Sequence, residues 1–347
     1  MIVYFHITRD NLVYSIVPLI QNKLSFHIFN GAKNGNLACD MFFIIMGYFL
    51  SDSLSVKKTD LLVLAKKKFI RFYPLIICNV ILSITFCLYI FNIDKYLPHS
   101  EIYKLLLLDG TGFQVGLPNV TWFISVAFWV SLFYAYLYKI LSKDKFYFIL
   151  FLIISFCYTL LIHSFGGNIT GNGEIVLFVF NAGILRGLAG IGFGFLIFGL
   201  VNWADYLVKM KDSIFTRTVF TSLEAFLFYF VFNNLLFHAI NYSSNFLIIV
   251  GFIALFILFL VKKGYLSRFF EKDLFSVLGK YIFPIYMTHI FVLSLLKKYI
   301  WIGNLKFIES HFIFSIFISF IPVIIFAIAI HHFVEKPISR YLKSKVL

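Results

Sequence analysis

Charged side chains are scarce in this chain, and their scarcity excludes an ordinary water-soluble fold. Asp, Glu, Lys and Arg make up 13% of the 347 residues, whereas soluble domains contain about 25%. Hydrophobic residues make up 61% of the chain, and the mean hydropathy is +0.91. So few charges do not cover a surface in water, and the composition therefore predicts that most of the chain is buried in lipid.

Cysteine is also rare, and its spacing excludes the common metal sites. The chain has four cysteines with no CxxC pair and no Cys/His ligand pattern, so we expect buried, inert thiols. They are Cys39, Cys78, Cys87 and Cys157. No charged stretch followed by a small-residue cleavage site precedes the first apolar run, and no cleavable signal peptide is expected.

Long apolar runs dominate what is present, and they predict an all-α polytopic membrane protein of about ten transmembrane helices. A span needs about 20 apolar residues, with charges and aromatic side chains at its ends. The predicted segments are 1–8 (extended through Leu12 to Ile20), 37–53, 72–92, 120–140, 146–164, 184–203, 216–238, 244–262, 275–297 and 311–334. No repeat or soluble domain is evident.

The net charge of +14 follows membrane topology, and we expect no nucleic-acid partner because the basic residues lie in short clusters between apolar runs. If the chain has ten spans and starts in the cytoplasm, twenty of the thirty basic residues lie in cytoplasmic segments and eight lie in outward segments. This excess agrees with the positive-inside rule. Both termini are therefore predicted to be cytoplasmic. The two long outward loops are 93–119 and the Gly/Asn-rich 164–183.

Ionisable side chains inside apolar segments are the first candidates for function, because each costs free energy in the bilayer. Arg186 stays charged at any ordinary pH, so it must meet an anion, carbonyl groups or water, and we favour a functional role. Glu224 is a possible ion-pair partner for it. Asp40 opens the second segment and is expected to be interfacial. His6 has a catalytic or a packing role, and His289 is expected to pack or form hydrogen bonds.

Two further motifs have both a structural and a functional interpretation. Small-residue spacings in the sixth segment, such as Gly183–Gly187 and Gly190–Gly194, favour close helix packing over room for a ligand. The run KKKFIRFYP (66–74) is in part a topology anchor. Its Lys68 and Arg71 also suit the phosphates of a cytosolic donor, because charge-assisted hydrogen bonds hold phosphates well.

Seven blocks in a fixed order resemble the acyltransferase-3 family of bacterial membrane proteins. The blocks are the apolar segment ending in His6, DMFFIIMGYFL (40–50), KFIRFYP (68–74), NVTWFIS (119–125), ILRGLAGIGFGFLIFG (184–199), LGKYIFPIYMTHI (278–290) and FVEKPISR (333–340). Each block is short, but together they cover nearly the whole chain.

The resemblance implies one membrane-embedded acyltransferase domain over 1–347, in the cytoplasmic membrane of a bacterium. It implies transfer of an acyl group, commonly acetyl, from cytosolic acyl-CoA to a glycan hydroxyl. Acyl-CoA is then a co-substrate, and no bound cofactor or metal is expected. The implied partners are a glycan or lipid-linked saccharide acceptor and membrane lipid.

The resemblance also implies roles for individual residues. His6 matches the catalytic histidine of the first helix, and Arg186 matches an arginine of a later helix. Arg71 and Tyr73 match the basic motif near the acyl-CoA entrance, and Trp122 matches a tryptophan of the fourth-helix block. The candidate catalytic residues are His6, Arg71 and Arg186. The candidate substrate-binding residues are Tyr73, Trp122, Lys68, Asp40 and Glu224.

Two features depart from the family pattern. The family usually has an arginine eleven residues before the histidine, but only five residues precede His6 here. Either half of the first helix is missing from this chain or this branch lacks the arginine, and we expect a truncated first helix because 1–8 is too short to span a bilayer. Met46 stands where the family often has serine.

Two other activities fit the buried charges on chemistry alone. A polysaccharide exporter or flippase also needs charges along its path. A membrane glycan polymerase or ligase acts on lipid-linked sugars. Only the acyltransferase depends on acyl-CoA.

Overall fold

The computed structural model describes most of the chain. The described residues are 3, 6, 33–86, 100–111, 120–170, 175–176, 180–203, 213–236, 244–301 and 311–346. Most of the predicted first segment lies outside them, although Val3 and His6 are helical.

The architecture is a bundle of helices, as the composition predicts, because a chain in lipid satisfies its backbone N–H and C=O groups within helices. The helices are α1 Ala38–Ser55, α2 Leu61–Thr85, α3 Ser100–Leu105, α4 Thr121–Ile140, α5 Lys143–Ser164, α6 Ala182–Trp203, α7 Ile214–Leu236, α8 Ser244–Val261, α9 Tyr265–Phe270, α10 Asp273–Gly279, α11 Ile282–Leu296, α12 Phe312–Ile330 and α13 Lys336–Val346. A 3₁₀ turn, Lys33–Leu37, precedes α1. π-helical turns follow α11 at Lys297–Trp301 and α12 at His331–Glu335.

Every predicted segment from 37–53 onward contains a helix, so the all-α membrane class is confirmed. Within the described ranges, seven helices are long and apolar enough to cross a membrane, and the bent pair α10 and α11, at 48°, makes an eighth. Helix α8 is apolar but shorter. The number of ten and the cytoplasmic termini stay predictions.

Helix α2 begins earlier than the prediction of 72–92, and the basic run 66–71 therefore lies on the helix itself. Asp60 is its N-cap, and its carboxylate accepts a hydrogen bond from the Leu62 N–H at 3.2 Å. The Lys139 ammonium donates to the same carboxylate at 3.1 Å, which lowers the pKa of Asp60. This pair fixes the start of α2 beside the end of α4.

Helix α1 packs most extensively against α6, and glycines allow the close approach. A Cβ at Gly47 would meet the backbone of Ile191, and a Cβ at Gly194 would meet the backbone of Ile44 and Tyr48. The interpretation of the glycine spacing as a helix-packing feature is therefore confirmed for the α1–α6 contact.

Alanine at Gly194 is expected to destabilise the bundle by about 1–3 kcal/mol, because its Cβ would push against backbone that does not move alone. Gly199 is the matched control on the same helix. Its nearest neighbour is the end of the Tyr147 side chain, at 3.0 Å from an added Cβ. Gly199→Ala should therefore leave stability near that of the wild type. The measurement is the fraction of monodisperse protein that each variant loses on heating in detergent. Equal losses for Gly194→Ala and Gly199→Ala would contradict the packing role of Gly194.

The predicted outward loop 93–119 folds back into the bundle over its described part, 100–111. The Tyr73 hydroxyl donates to the Leu105 carbonyl at 2.5 Å, and the Trp129 indole donates to the Leu107 carbonyl at 2.8 Å. Tyr73 is about 18 Å from the last residue of α2, Thr85, so the segment reaches about halfway along that helix. The segment is therefore partly buried: Lys104 and Leu107 are covered, whereas Ile102 is about half exposed.

The other long loop, 164–183, is also anchored. Ile175–Val176 and Phe180–Asn181 form a two-residue antiparallel pair with Val176 opposite Phe180. The Asn36 amide donates to the Thr170 carbonyl at 3.0 Å, and the Asn245 amide donates to the Asn168 side chain at 3.0 Å. These bonds tie the loop to α8 and to the turn before α1.

The cysteines agree with the prediction of inert thiols wherever the structure describes them. Cys39, Cys78 and Cys157 are buried and free. Cys87 lies outside the described residues.

Candidate active site

A cavity of about 490 Å³ opens between α1, α2, α4 and α11. This volume lies within the range of small-molecule and cofactor sites. Its walls are mainly apolar and aromatic, including Phe42 and Met46 of α1, Phe123 of α4 and Phe283 of α11. The cationic side chains that line it all belong to α2. The cavity therefore has a cationic end and an apolar end.

The cationic end of the cavity is formed by Lys67, Lys68 and Arg71 of α2. Lys67 and Arg71 are four residues apart and so lie on the same helix face, one turn apart. Lys68 is partly buried, with its ammonium 5.6 Å from the centre of the Phe72 ring. No carboxylate of the described chain lies within ion-pair distance of these three cations. The predicted basic run thus faces a cavity, as anion binding requires.

Tyr286 lines the cavity and connects it to a pair of histidines. Its hydroxyl donates to the Val120 carbonyl at 2.8 Å, which fixes the ring against α4. The Tyr286 ring centre lies 6.0 Å from that of His289, one turn further along α11. The His289 ring centre lies 5.1 Å from that of His6. His6 therefore lies behind the cavity wall, separated from the cavity by the rings of Tyr286 and His289.

Arg186 forms a buried ion pair with Asp40. Its Nη2 and Nε donate to the two carboxylate oxygens at 2.7 and 3.0 Å. The guanidinium also donates to the backbone carbonyls of Thr170 and Asn36, each at 3.0 Å. Its carbon lies 5.3 Å from the Trp122 ring centre. This network joins α1, α6 and the 164–183 loop.

The pairing corrects two interpretations of the sequence. Asp40 is not merely an interfacial carboxylate in contact with solvent, because its side chain is 1% exposed and pairs with Arg186. Glu224 is not the partner of Arg186. Its carboxylate instead accepts the backbone N–H groups of Leu266 and Ser267, both at 3.1 Å, at the start of α9. Glu224 therefore holds a helix N-terminus, for which a carboxylate is well suited.

The other predicted site residues lie near the cavity without lining it. Tyr73 stacks on Phe69, with ring centres 3.8 Å apart, and its hydroxyl holds the 100–111 segment. Trp122 contacts Phe43 and Phe123 edge to face. Six of the eight predicted site residues thus fall into three neighbouring groups: Lys68 with Arg71, Asp40 with Arg186 and Trp122, and His6 beside His289. Tyr73 and Glu224 belong to none of these groups.

His289 lies beside the site, although the sequence predicts only a packing or hydrogen-bonding role for it. It is completely buried, and it lies against His6, which the resemblance marks as catalytic. The available signal was the block LGKYIFPIYMTHI, which contains both His289 and Tyr286. Across the described ranges, no group of three His, Cys, Asp or Glu side chains forms a metal site.

Comparison with known families agrees with the geometry. A model of the acyltransferase-3 family, described as an acyltransferase domain, matches residues 1–332. No curated protein and no solved structure matches the chain significantly. The fold is that of a multi-pass membrane protein. The chain belongs to the acyltransferase-3 family and is an acyltransferase.

Proposed function

We propose that this enzyme moves an acyl group, acetyl being the first candidate, from cytosolic acyl-CoA to a hydroxyl of a cell-surface or secreted glycan. The family supports the acyl transfer itself. The donor, the acceptor and the bacterial cytoplasmic membrane as location are our inference. One observation carries the choice of donor, namely a cavity that is cationic at one end and apolar toward the histidines.

Coenzyme A esters have the complementary chemistry. Their phosphates are at one end, and the thioester is at the end of a long, largely uncharged arm. Lys67, Lys68 and Arg71 would hold the phosphates, and the apolar wall would receive the arm and the acyl group. The basic run is on the side that the positive-inside rule predicts to be cytoplasmic, where acyl-CoA is found.

His6 is the base in this proposal. The acceptor oxygen forms a bond to the thioester carbonyl carbon and the C–S bond breaks. The hydroxyl proton passes to His6 and then to the departing thiolate. A neutral imidazole suits this task, because its ordinary pKa lies near neutrality.

Arg186 has a different part from Arg71 here. Its guanidinium already donates to Asp40 and to two carbonyls of the protein. We therefore assign the phosphates to Arg71 and its lysine neighbours. Arg186, with Asp40 and Trp122, holds α1 and α6 in the positions that shape the cavity.

Arg71→Ala is expected to raise the KM for acyl-CoA about tenfold to a hundredfold, because one charge-assisted hydrogen bond contributes about 1.5–3 kcal/mol. Lys68→Ala should act in the same direction. The measurement is the initial rate in membranes against the concentration of labelled acetyl-CoA.

The matched control for these variants is Lys139→Ala. Lys139 is a cation near the same end of the bundle but pairs with the exposed Asp60. Its replacement should leave the KM unchanged. An equal KM in Arg71→Ala and wild type would remove the cationic end of the cavity from donor binding.

The proposal is tested with the purified chain in lipid vesicles, supplied with labelled acetyl-CoA and glycan from the source cells. We expect the label to enter the glycan through an alkali-labile ester. Glycan movement across the vesicle without acyl-CoA would support an exporter, and a change in glycan length without acylation would support a polymerase. Either result without label transfer would overturn the proposal.

A further inference from the structure

The imidazole of His289 is held in one tautomer. Its Nδ1 lies 2.7 Å from the Tyr286 carbonyl and 3.2 Å from the Ile285 carbonyl, both on its own helix. Carbonyl oxygens only accept, so Nδ1 carries the hydrogen and donates it. The neutral ring therefore has its lone pair on Nε2.

That lone pair has no hydrogen-bond partner among the described residues. His289 is 0% exposed, and its Nε2 is a buried acceptor without a donor. A buried acceptor left in this way costs about 1–3 kcal/mol. Native proteins satisfy the great majority of such atoms, so this one requires an explanation.

The ring of His6 lies beside His289, and it is the natural source of a donor. The two ring centres are 5.1 Å apart and the planes are tilted by 48°. Hydrogen bonds between catalytic groups are often long without substrate and shorten when substrate binds. A modest rotation of His6 therefore brings one of its ring nitrogens toward His289 Nε2.

We propose that His289 is a positioning residue that accepts a hydrogen bond from His6 and so fixes its working tautomer. The inference rests on the proposed function, because it assigns His6 as the base. The chain of bonds runs from a His6 N–H to His289 Nε2, and from His289 Nδ1–H to the Tyr286 carbonyl. The other nitrogen of His6 then presents its lone pair to the acceptor hydroxyl.

This arrangement supports each step of the proton transfer. When His6 takes the hydroxyl proton, its second N–H remains bonded to a neutral acceptor, which stabilises the imidazolium in a site with little water. The proton then leaves with the thiolate, and both histidines return to their starting tautomers. His289 itself neither gains nor loses a proton in the cycle.

A packing role for His289 needs only its Nδ1 bond, and this difference allows a test. The side-chain amide nitrogen of asparagine occupies the position of the imidazole Nδ1. His289→Asn therefore keeps the donor to the helix carbonyl and removes the acceptor at Nε2. A glutamine carbonyl reaches the Nε2 position, so His289→Gln keeps an acceptor there. Exposed His163 on α5 supplies the control, His163→Asn.

The experiment measures kcat and the KM for acetyl-CoA, per amount of monodisperse protein, in each variant. We expect His289→Asn to lower kcat on the order of 10²-fold, the lower end of what a positioned base contributes, with the KM unchanged. His289→Gln should retain kcat within about tenfold of the wild type, and His163→Asn should match the wild type. A wild-type kcat in His289→Asn, or equal losses in Asn and Gln variants that are both folded, would overturn the inference.

A double variant keeps the test decisive if His289→Asn also lowers the yield of folded protein. Residues that act as one unit are strongly non-additive, so His289→Asn should cost nothing further in a His6→Ala background. Additive losses would show that His289 acts independently of His6. Wild-type protein that fails to transfer the acyl group from acetyl-CoA would instead refute the proposed function.

Discussion

Alanine in place of His6 is expected to lower kcat for acyl transfer by about 10²- to 10⁴-fold, the usual contribution of a positioned general base. The KM for acyl-CoA should change little, because His6 is separated from the cationic end of the cavity by His289 and Tyr286. Steady-state rates with labelled acetyl-CoA and a glycan acceptor measure both constants.

His163→Ala is the matched control for this prediction. His163 is exposed at the end of α5, so its loss should leave both constants at wild-type values. An unchanged kcat in His6→Ala would show that another group takes the hydroxyl proton. A raised KM with unchanged kcat would place His6 in donor binding instead.

Breaking the buried Asp40–Arg186 pair is expected to have the largest effect on stability. Asp40→Ala leaves a guanidinium uncompensated inside the bundle, and removal of one partner of a buried pair costs about 3–5 kcal/mol. Arg186→Ala should be similar, because it also removes a donor from the Thr170 and Asn36 carbonyls. The measurement is the fraction of monodisperse protein that survives heating in detergent.

A second acidic residue of α1 provides a control, and a double substitution of Asp40 and Arg186 provides a rescue. Asp52 of α1 forms a partly exposed ion pair with Lys57, 2.8 Å apart, and such pairs contribute about 0–1 kcal/mol. Asp52→Ala should therefore melt near the wild type. Asp40→Leu combined with Arg186→Met should recover part of the stability lost in either single variant. Equal melting of Asp40→Ala and Asp52→Ala would contradict the structural role of the pair.

The helical segments could be predicted from the sequence because each depends on a local property. An apolar run of span length folds into a helix in lipid whatever its neighbours are. The prediction was wrong at the start of α2, since the charges of 66–71 argued for a loop. In the structure Asp60 caps the helix before this run, and the cations face a cavity.

The partners of buried charges could not be predicted in the same way, because they are set by long-range packing. Asp40 and Arg186 are 146 positions apart in the sequence. Asp40 opens a segment and was therefore expected at the interface, but the 3₁₀ turn Lys33–Leu37 and Thr170 cover that end of the bundle. Likewise, nothing local in the sequence distinguishes His289 from a packing residue. Its unpartnered Nε2 and its distance from His6 do so in the structure.

The ester-linked acyl content of surface glycans, determined by mass spectrometry, tests the central claim most directly. The comparison is between cells that carry the chain, cells that lack it, and cells that carry His6→Ala at equal protein level. We expect an acyl mass on the glycan only in the first. Equal acylation in all three, with glycan export or chain length altered instead, would contradict the proposal of a glycan O-acyltransferase with His6 at its centre.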